Sequence, residues 1–149
     1  MWILLIIFVR GMRYSTMSSY EGSPKRIRRE KDLQKIKYPS EREFARLLLT
    51  KNPHLIIIYE PQRFEYTFED GKTKATLPDF LIINPRNSNQ PIYVELTCSK
   101  RGVLYDVKQR QKEVMAKAAP HLRYVVLYHE NLKKMRRKHI QFNPWKPFN

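Results

Sequence analysis

The chain has one cysteine, few acidic residues and no long apolar run, and each shortage excludes a class of protein. Its single cysteine, Cys98, excludes an internal disulfide framework and a cysteine-based zinc site. A reducing, cytoplasmic setting is therefore the simplest expectation. The apolar run at residues 2–9 is much shorter than the roughly 20 residues of a membrane-spanning helix. We therefore expect no stable membrane insertion.

Acidic residues are outnumbered, with 14 Asp and Glu against 29 Lys and Arg, which gives a formal charge of +15. Such an excess predicts a polyanionic partner, with nucleic acid first and an anionic membrane surface second. The excess lies at the two ends, because residues 1–39 carry +6 and residues 101–149 carry +9, whereas residues 40–100 are neutral. Basic flanks around a neutral centre favour a protein that holds a phosphate backbone with its periphery. An ordinary fold with ordinary surface charges is the alternative interpretation.

The 149 residues suffice for one domain with a real core. We predict a basic, flexible N-terminal arm over residues 1–38, a single domain over 39–138 and an irregular tail over 139–149. Residues 1–16 are interpreted as an overcalled start, because Met12 and Met17 follow the apolar run. A short edge strand or a peripheral membrane contact is the alternative for that run.

Two basic clusters are candidate DNA-binding segments, because Lys and Arg neutralise backbone phosphates. A solvated charged surface is the alternative interpretation of both. The clusters comprise Lys25, Arg26, Arg28 and Arg29 in the arm, and Lys133, Lys134, Arg136, Arg137 and Lys138 near the C-terminus.

Hydrophobic periodicity predicts the element order α-β-β-β-β-α-β-α, with the first strands in a meander. This order is a mixed α/β domain whose central sheet is flanked by helices. Ser40 and Glu43 have the spacing of a capping box, and Asn52-Pro53 ends the first helix. Asp70-Gly71 is typical of a hairpin turn. The predicted strands are 54–60, 63–69, 77–83, 92–97 and 124–128, and the later helices are 103–118 and 131–138.

Three acidic residues of the neutral centre form a candidate metal site. Asp79 and Glu95 each interrupt an apolar strand, where a carboxylate is costly unless it is paired or bound to a metal. Glu41 lies on the same side of the first helix as Phe44 and Leu48. Neighbouring strands and a helix packed on them would bring the acids together, and carboxylate oxygens are the ligands of Mg²⁺. For Glu41 alone, a first-turn acid favoured by the helix dipole is the alternative.

The order of these motifs resembles that of the PD-(D/E)XK nuclease superfamily, which has the restriction-endonuclease-like fold. The resemblance extends from Glu41 to about Tyr128 and includes Pro78-Asp79, Glu95-Leu96-Thr97 and a helix that carries Lys108 and Gln111. The chain is similar in particular to TnsA-type transposition endonucleases and archaeal Holliday-junction resolvases. The resemblance implies an Mg²⁺-dependent endonuclease that hydrolyses DNA phosphodiester bonds, with Mn²⁺ as a substitute. It also implies a homodimer or a partner protein, because one active site cuts one strand.

The resemblance further implies a role for each matching residue. Asp79 and Glu95 would bind the metal, and Glu41 would complete the site directly or through water. Thr97 replaces the Lys of the family pattern, and either Lys100 or Lys108 would reach the space of that lysine. Thr97 with Lys100 would take the position that orients the nucleophile. Gln111 with Lys108 would hold a phosphate or the attacking water. Two alternatives to an endonuclease remain. The first is a catalytically inactive DNA-binding module of the same fold, and the second is a peripheral membrane protein.

Overall fold

A computed structural model describes residues 24–86, 90–97 and 102–137, and within the last range the side chains of 102–105 are not described. The apolar run at residues 2–9, Cys98, Lys100, Lys138 and the predicted tail therefore lie outside the described residues. Within these ranges, no helix combines the length and the apolar character that crossing a bilayer requires.

The centre of the fold is a five-stranded sheet with the order β1-β2-β5-β6-β7. Neighbouring strands are antiparallel, except that β6 and β7 are parallel and are joined by a crossover helix. This arrangement confirms the predicted α/β class with a mixed sheet. The strands are β1 (Lys25–Ile27), β2 (Ile56–Tyr59), β5 (Phe80–Ile83), β6 (Ile92–Thr97) and β7 (Arg123–Tyr128).

Both faces of the sheet are covered, so its strands are apolar on both sides. One face packs against helix α1 (Pro39–Lys51), helix α3 (His129–Arg136) and a 3-10 helix (Glu30–Lys35). The other face packs against helix α2 (Gly102–Ala118) and the two-stranded hairpin of β3 (Phe64–Thr67) and β4 (Thr73–Thr76). The rings of Phe64 and Tyr93 meet edge to face at 5.2 Å and fix the hairpin on the sheet.

The prediction of an N-terminal arm over residues 1–38 is wrong for residues 24–37. Strand β1 pairs with β2, and the side chains of Ile27, Leu33 and Ile36 belong to the core beside α1. These three apolar residues stand among many basic ones, so a local reading of the sequence finds only a polar segment.

Two local predictions in the domain are also corrected. Helix α1 begins at Pro39 rather than after Ser40, and no capping side chain bonds its first turn. Proline has a φ angle already set for the first helical position, which is why the helix begins there. Glu43 pairs instead with Arg136 of α3. The predicted meander is interrupted, because β3 and β4 form their own hairpin and β2 pairs directly with β5.

Candidate active site at one edge of the sheet

One edge of the sheet gathers the acidic residues, because β2 and β6 end there and β5 begins there. Tyr59 lies opposite Phe80, and Phe80 lies opposite Val94. Continuing these registers by one residue places Glu60, Asp79 and Glu95 side by side across three strands. The N-terminal turn of α1 adds Glu41 to the same place.

Asp79 directly precedes β5 and is held by the backbone of both neighbouring strands. Its Oδ2 accepts the N–H of Leu96 at 2.7 Å, and its carbonyl accepts the N–H of Glu60 at 2.8 Å. Burial raises the pKa of Asp79 well above the ordinary range, and the nearby charges of Glu95 and Glu41 raise it further. Its carboxyl is therefore fixed in position and costly to ionise without a cation.

Glu95 is the most buried of the acids, with 2% of its residue surface exposed. Its Oε1 accepts a hydrogen bond from the ammonium of Lys108, which enters from α2. Its Oε2 is buried without a hydrogen-bond partner among the described residues. Burial raises the pKa of Glu95, and the charge of Lys108 opposes that rise. Lys108 thus compensates the charge of the Glu95 carboxylate in part, and Oε2 has no hydrogen-bond donor among the described residues.

Glu41 is also buried and connects α1 to the sheet. Its Oε2 accepts a hydrogen bond from the hydroxyl of Tyr59 at 2.8 Å, and the carboxyl of Asp79 is near enough to influence its pKa. Burial raises the pKa of Glu41, which the Tyr59 hydroxyl and the neighbouring Asp79 carboxyl counteract in part. The pKa values of both Glu41 and Asp79 are raised, so this pair binds protons more tightly than exposed carboxyl groups do.

Glu60 lies beside Glu41 and Asp79 and has a strained backbone conformation. Its φ is +49°, the left-handed region that a residue with a side chain adopts rarely and at a cost. The Glu60 carboxylate accepts a hydrogen bond from the ammonium of Lys25 at 3.0 Å. The negative charge of Glu60 contributes to the raised pKa of Glu41. Strain of this kind concentrates at functional sites, which adds Glu60 to the site.

Of the remaining predicted site residues, Thr97, Lys108 and Gln111 lie within the described ranges. Thr97 ends β6 and is buried, and the amide oxygen of Gln111 is buried without a hydrogen-bond partner within the described ranges. Lys100 lies outside those ranges. Of the two lysines predicted to replace the missing motif Lys, Lys108 is the one that the structure places against a carboxylate of the site.

Two tyrosines of the site were missed at the sequence level. Tyr59 contacts Glu41, and the buried hydroxyl of Tyr124 has no hydrogen-bond partner in the described part of the chain. The pKa of Tyr124 is raised by burial and by the charges of Glu95 and Asp79, which places its hydroxyl within their field. Both tyrosines stand in apolar strand sequences, where the only available signal is a polar hydroxyl in an otherwise apolar run.

The arrangement of the carboxylates suits Mg²⁺, which needs few protein ligands, better than a metal that is coordinated entirely by side chains. Among the described residues, no group of three or more His, Cys, Asp and Glu side chains is placed so as to hold a metal ion. Mg²⁺ takes only one or two carboxylates and fills its remaining positions with water and substrate phosphate. Asp79 and the unpaired Oε2 of Glu95 meet that smaller requirement, and deprotonation of the Glu41 and Asp79 pair would accompany binding.

The predicted DNA-binding residues occupy two separate surfaces. Arg26, Arg28 and Arg29 lie with Lys25 around a cavity outside β1. In the second cluster, Arg136 is paired with Glu43, and three other side chains are exposed on or just after α3, namely Lys133, Lys134 and Arg137. Helix α3 begins where β7 ends, at the same edge as Thr97.

The raised pKa values predict an unusual pH dependence of stability. The folded protein binds protons more tightly at Glu41, Asp79 and Glu95 than the unfolded chain does. Its free energy of unfolding should therefore fall as the pH rises above the unfolded carboxyl range, near 4, and through the folded values. Mg²⁺ should reverse this loss increasingly with pH, because it binds the ionised form.

Thermal unfolding in EDTA and in Mg²⁺ between pH 5 and pH 8 measures both effects. The difference between the wild type and the Asp79→Asn variant reports the contribution of the site, because all other titrating groups are the same in both proteins. In EDTA the variant should melt several degrees above the wild type at pH 8 but not at pH 5. A constant difference in melting temperature across this range would contradict the assignment of the buried charge.

Comparison of the chain with protein-family models, with curated proteins and with solved structures found no match.

Proposed function

We propose that the protein is a metal-dependent endodeoxyribonuclease with a restriction-endonuclease-like fold. The observation that carries the proposal is the convergence of Glu41, Asp79 and Glu95 with Lys108 at one edge of an otherwise apolar sheet. Glu41 and Glu95 are buried and Asp79 is half-buried, and three neighbouring carboxyl groups whose charges repel one another reduce stability, so their proximity favours a role with a cation. The basic surfaces on β1 and α3 favour a nucleic acid as the substrate.

In this proposal, Asp79 and Glu95 hold the metal ion. A bound Mg²⁺ supplies activation of water and stabilisation of the charge that develops on the phosphodiester. Glu41 lies beside Asp79, and its raised pKa suits it to take up or release a proton at the site. Tyr59 fixes Glu41 through its hydroxyl, so that the acid does not turn away from the sheet.

Lys108 takes the role of the lysine that Thr97 replaces. Its ammonium lies against Glu95, where it offsets negative charge near the scissile phosphate. Thr97 lies two residues beyond Glu95 on the same side of β6 and can hydrogen-bond a water molecule. Gln111 is one turn beyond Lys108 on α2, and its buried amide oxygen, which has no hydrogen-bond partner among the described residues, would accept a hydrogen bond from that water.

A non-catalytic DNA-binding module is the second candidate. It is favoured by the pairing of Lys108 with Glu95, because an internal ammonium neutralises that carboxylate without a metal. In such a protein, binding would persist without cleavage, and substitution of Asp79 or Glu95 would leave the binding unchanged.

A cleavage assay separates the two candidates. Purified protein is incubated with supercoiled, linear, single-stranded and branched DNA in Mg²⁺, in Mn²⁺ and in EDTA, beside the Asp79→Asn variant. Cleavage that requires both the metal and Asp79 supports the nuclease. Binding to these DNA forms without cleavage in either metal supports the binding module.

A further inference from the structure

Outside strand β1 lies a cavity of about 560 Å³ that the proposed chemistry does not use. It is an open concavity bordered by β1 and the 3-10 helix, and because β1 is the end strand of the sheet, it faces away from the core. Its charged lining consists of one acid and five bases, namely Asp32, Lys25, Arg26, Arg28, Arg29 and Lys35.

Asp32 gives the cavity its shape. Its Oδ2 accepts the backbone N–H of Arg28 at 2.9 Å and of Arg29 at 3.0 Å, and its Oδ1 accepts the ammonium of Lys35 at 3.1 Å. These donors, the Arg28 amide first, lower the pKa of Asp32 to about 2. Asp32 is therefore ionised at any physiological pH, and it keeps the turn between β1 and the 3-10 helix closed.

The positive charge of the cavity is only partly compensated. Lys25 pairs with Glu60, and Lys35 pairs with Asp32. Within the described ranges, no ion pair joins Arg26, Arg28 or Arg29 to a carboxylate. Burial and the neighbouring charge of Arg28 lower the pKa of Arg26, so the folded protein keeps these two guanidinium groups together at a cost. An anion between them would remove that repulsion.

We propose that this cavity binds phosphate groups of a nucleic-acid backbone. Guanidinium groups bind phosphate oxygens in a bidentate manner, which suits three arginines around one concave surface. The cavity also adjoins the acidic edge, because Lys25 lines it and pairs with Glu60, next to Tyr59. A strand bound there would continue toward Asp79 and Glu95. That the polymer is DNA rests on the proposed function, whereas the phosphate chemistry does not.

The test measures DNA binding in the absence of cleavage. In the Asp79→Asn background and in EDTA, fluorescence anisotropy follows a labelled 20-base-pair duplex over a range of KCl concentrations. The Arg26→Ala/Arg28→Ala double variant should bind about tenfold more weakly or worse, and its slope of log affinity against log salt should be less steep by about 2. Circular dichroism checks that the fold is kept.

A matched control is the Lys112→Ala/Lys117→Ala variant. Both lysines are exposed on α2, and the variant loses the same charge. It should bind nearly as the parent does. An equal loss of duplex affinity in the two double variants would show that only the total positive charge matters, and it would overturn the proposal. Unchanged duplex binding by the Arg26→Ala/Arg28→Ala variant would also overturn it. Loss of pyrophosphate binding without loss of duplex binding, measured by calorimetry, would also overturn it in favour of a small ligand.

The result is separable from that for the nuclease. If the wild type cleaves no DNA and the cavity variant still loses duplex binding, the cavity is a binding site and the proposed reaction is wrong. If Asp79 is required for cleavage and the cavity variant binds normally, the reaction stands and the cavity proposal fails. In an active enzyme, the cavity variant should raise KM and leave kcat unchanged.

Discussion

Replacing Asp79 by Asn should reduce Mg²⁺-dependent DNA cleavage by about 1000-fold or more, equivalent to about 4 kcal/mol of transition-state stabilisation. The side chain keeps its volume and an oxygen that can accept the N–H of Leu96, so the local backbone should be preserved. What is lost is the negative charge between Glu41 and Glu95. DNA affinity in EDTA should change by less than about twofold, because the basic surfaces remain.

The matched control for this variant is Asp70→Asn. Asp70 lies in the exposed turn of the hairpin and accepts the N–H of Lys72, so the same chemical change occurs far from the proposed metal site. This variant should cleave as the wild type does. Unchanged cleavage by Asp79→Asn in a preparation free of contaminating nuclease would exclude Asp79 from the reaction.

Replacing Lys108 by Met should impair both stability and cleavage. The ammonium is the only described partner of the Glu95 carboxylate, and removing one member of a buried pair typically costs about 3 to 5 kcal/mol. Protonation of Glu95 will relieve part of this cost, so the loss of stability should grow as the pH rises. Cleavage should fall by about 100-fold, because the charge near the scissile phosphate is no longer offset.

A second substitution separates the two effects. In Lys108→Met/Glu95→Gln the carboxylate of Glu95 is no longer left without its partner, so most of the lost stability should return while cleavage stays abolished. Lys117→Met, exposed on the same helix, controls for the loss of a lysine. If the Lys108→Met variant cleaves DNA at the wild-type rate, Lys108 has no role in the reaction, and Lys100 becomes the candidate for the missing lysine.

The sequence predicted those parts of the fold whose signal is local. Strands such as β2 and β6 are continuous apolar runs, and α1 and α2 show helical periodicity, so their positions were found within a few residues. Strand β1 was missed because its pairing partner lies about 30 residues away and only Ile27 within it is buried. Strand β4 was missed because Thr73–Thr76 contains no large apolar residue.

The candidate site was predictable where a carboxylate interrupts an apolar strand. Asp79 and Glu95 were identified on that signal, because burying an acid is costly and requires a reason. The choice between Lys100 and Lys108 could not be made, since it depends on the tertiary positions of the two ammonium groups relative to Glu95. The strain at Glu60 and the hydrogen bond between Tyr59 and Glu41 likewise arise only from the tertiary arrangement.

Direct location of a bound metal ion tests the central claim, that the acidic edge of the sheet is a divalent-cation site. Crystals grown with Mn²⁺ should show an anomalous difference peak about 2.1 Å from carboxylate oxygens of Asp79 and Glu95, and the peak should be absent from crystals of Asp79→Asn. Protein that cleaves DNA in Mn²⁺ but shows its anomalous peak elsewhere, or none at this edge, would contradict the account.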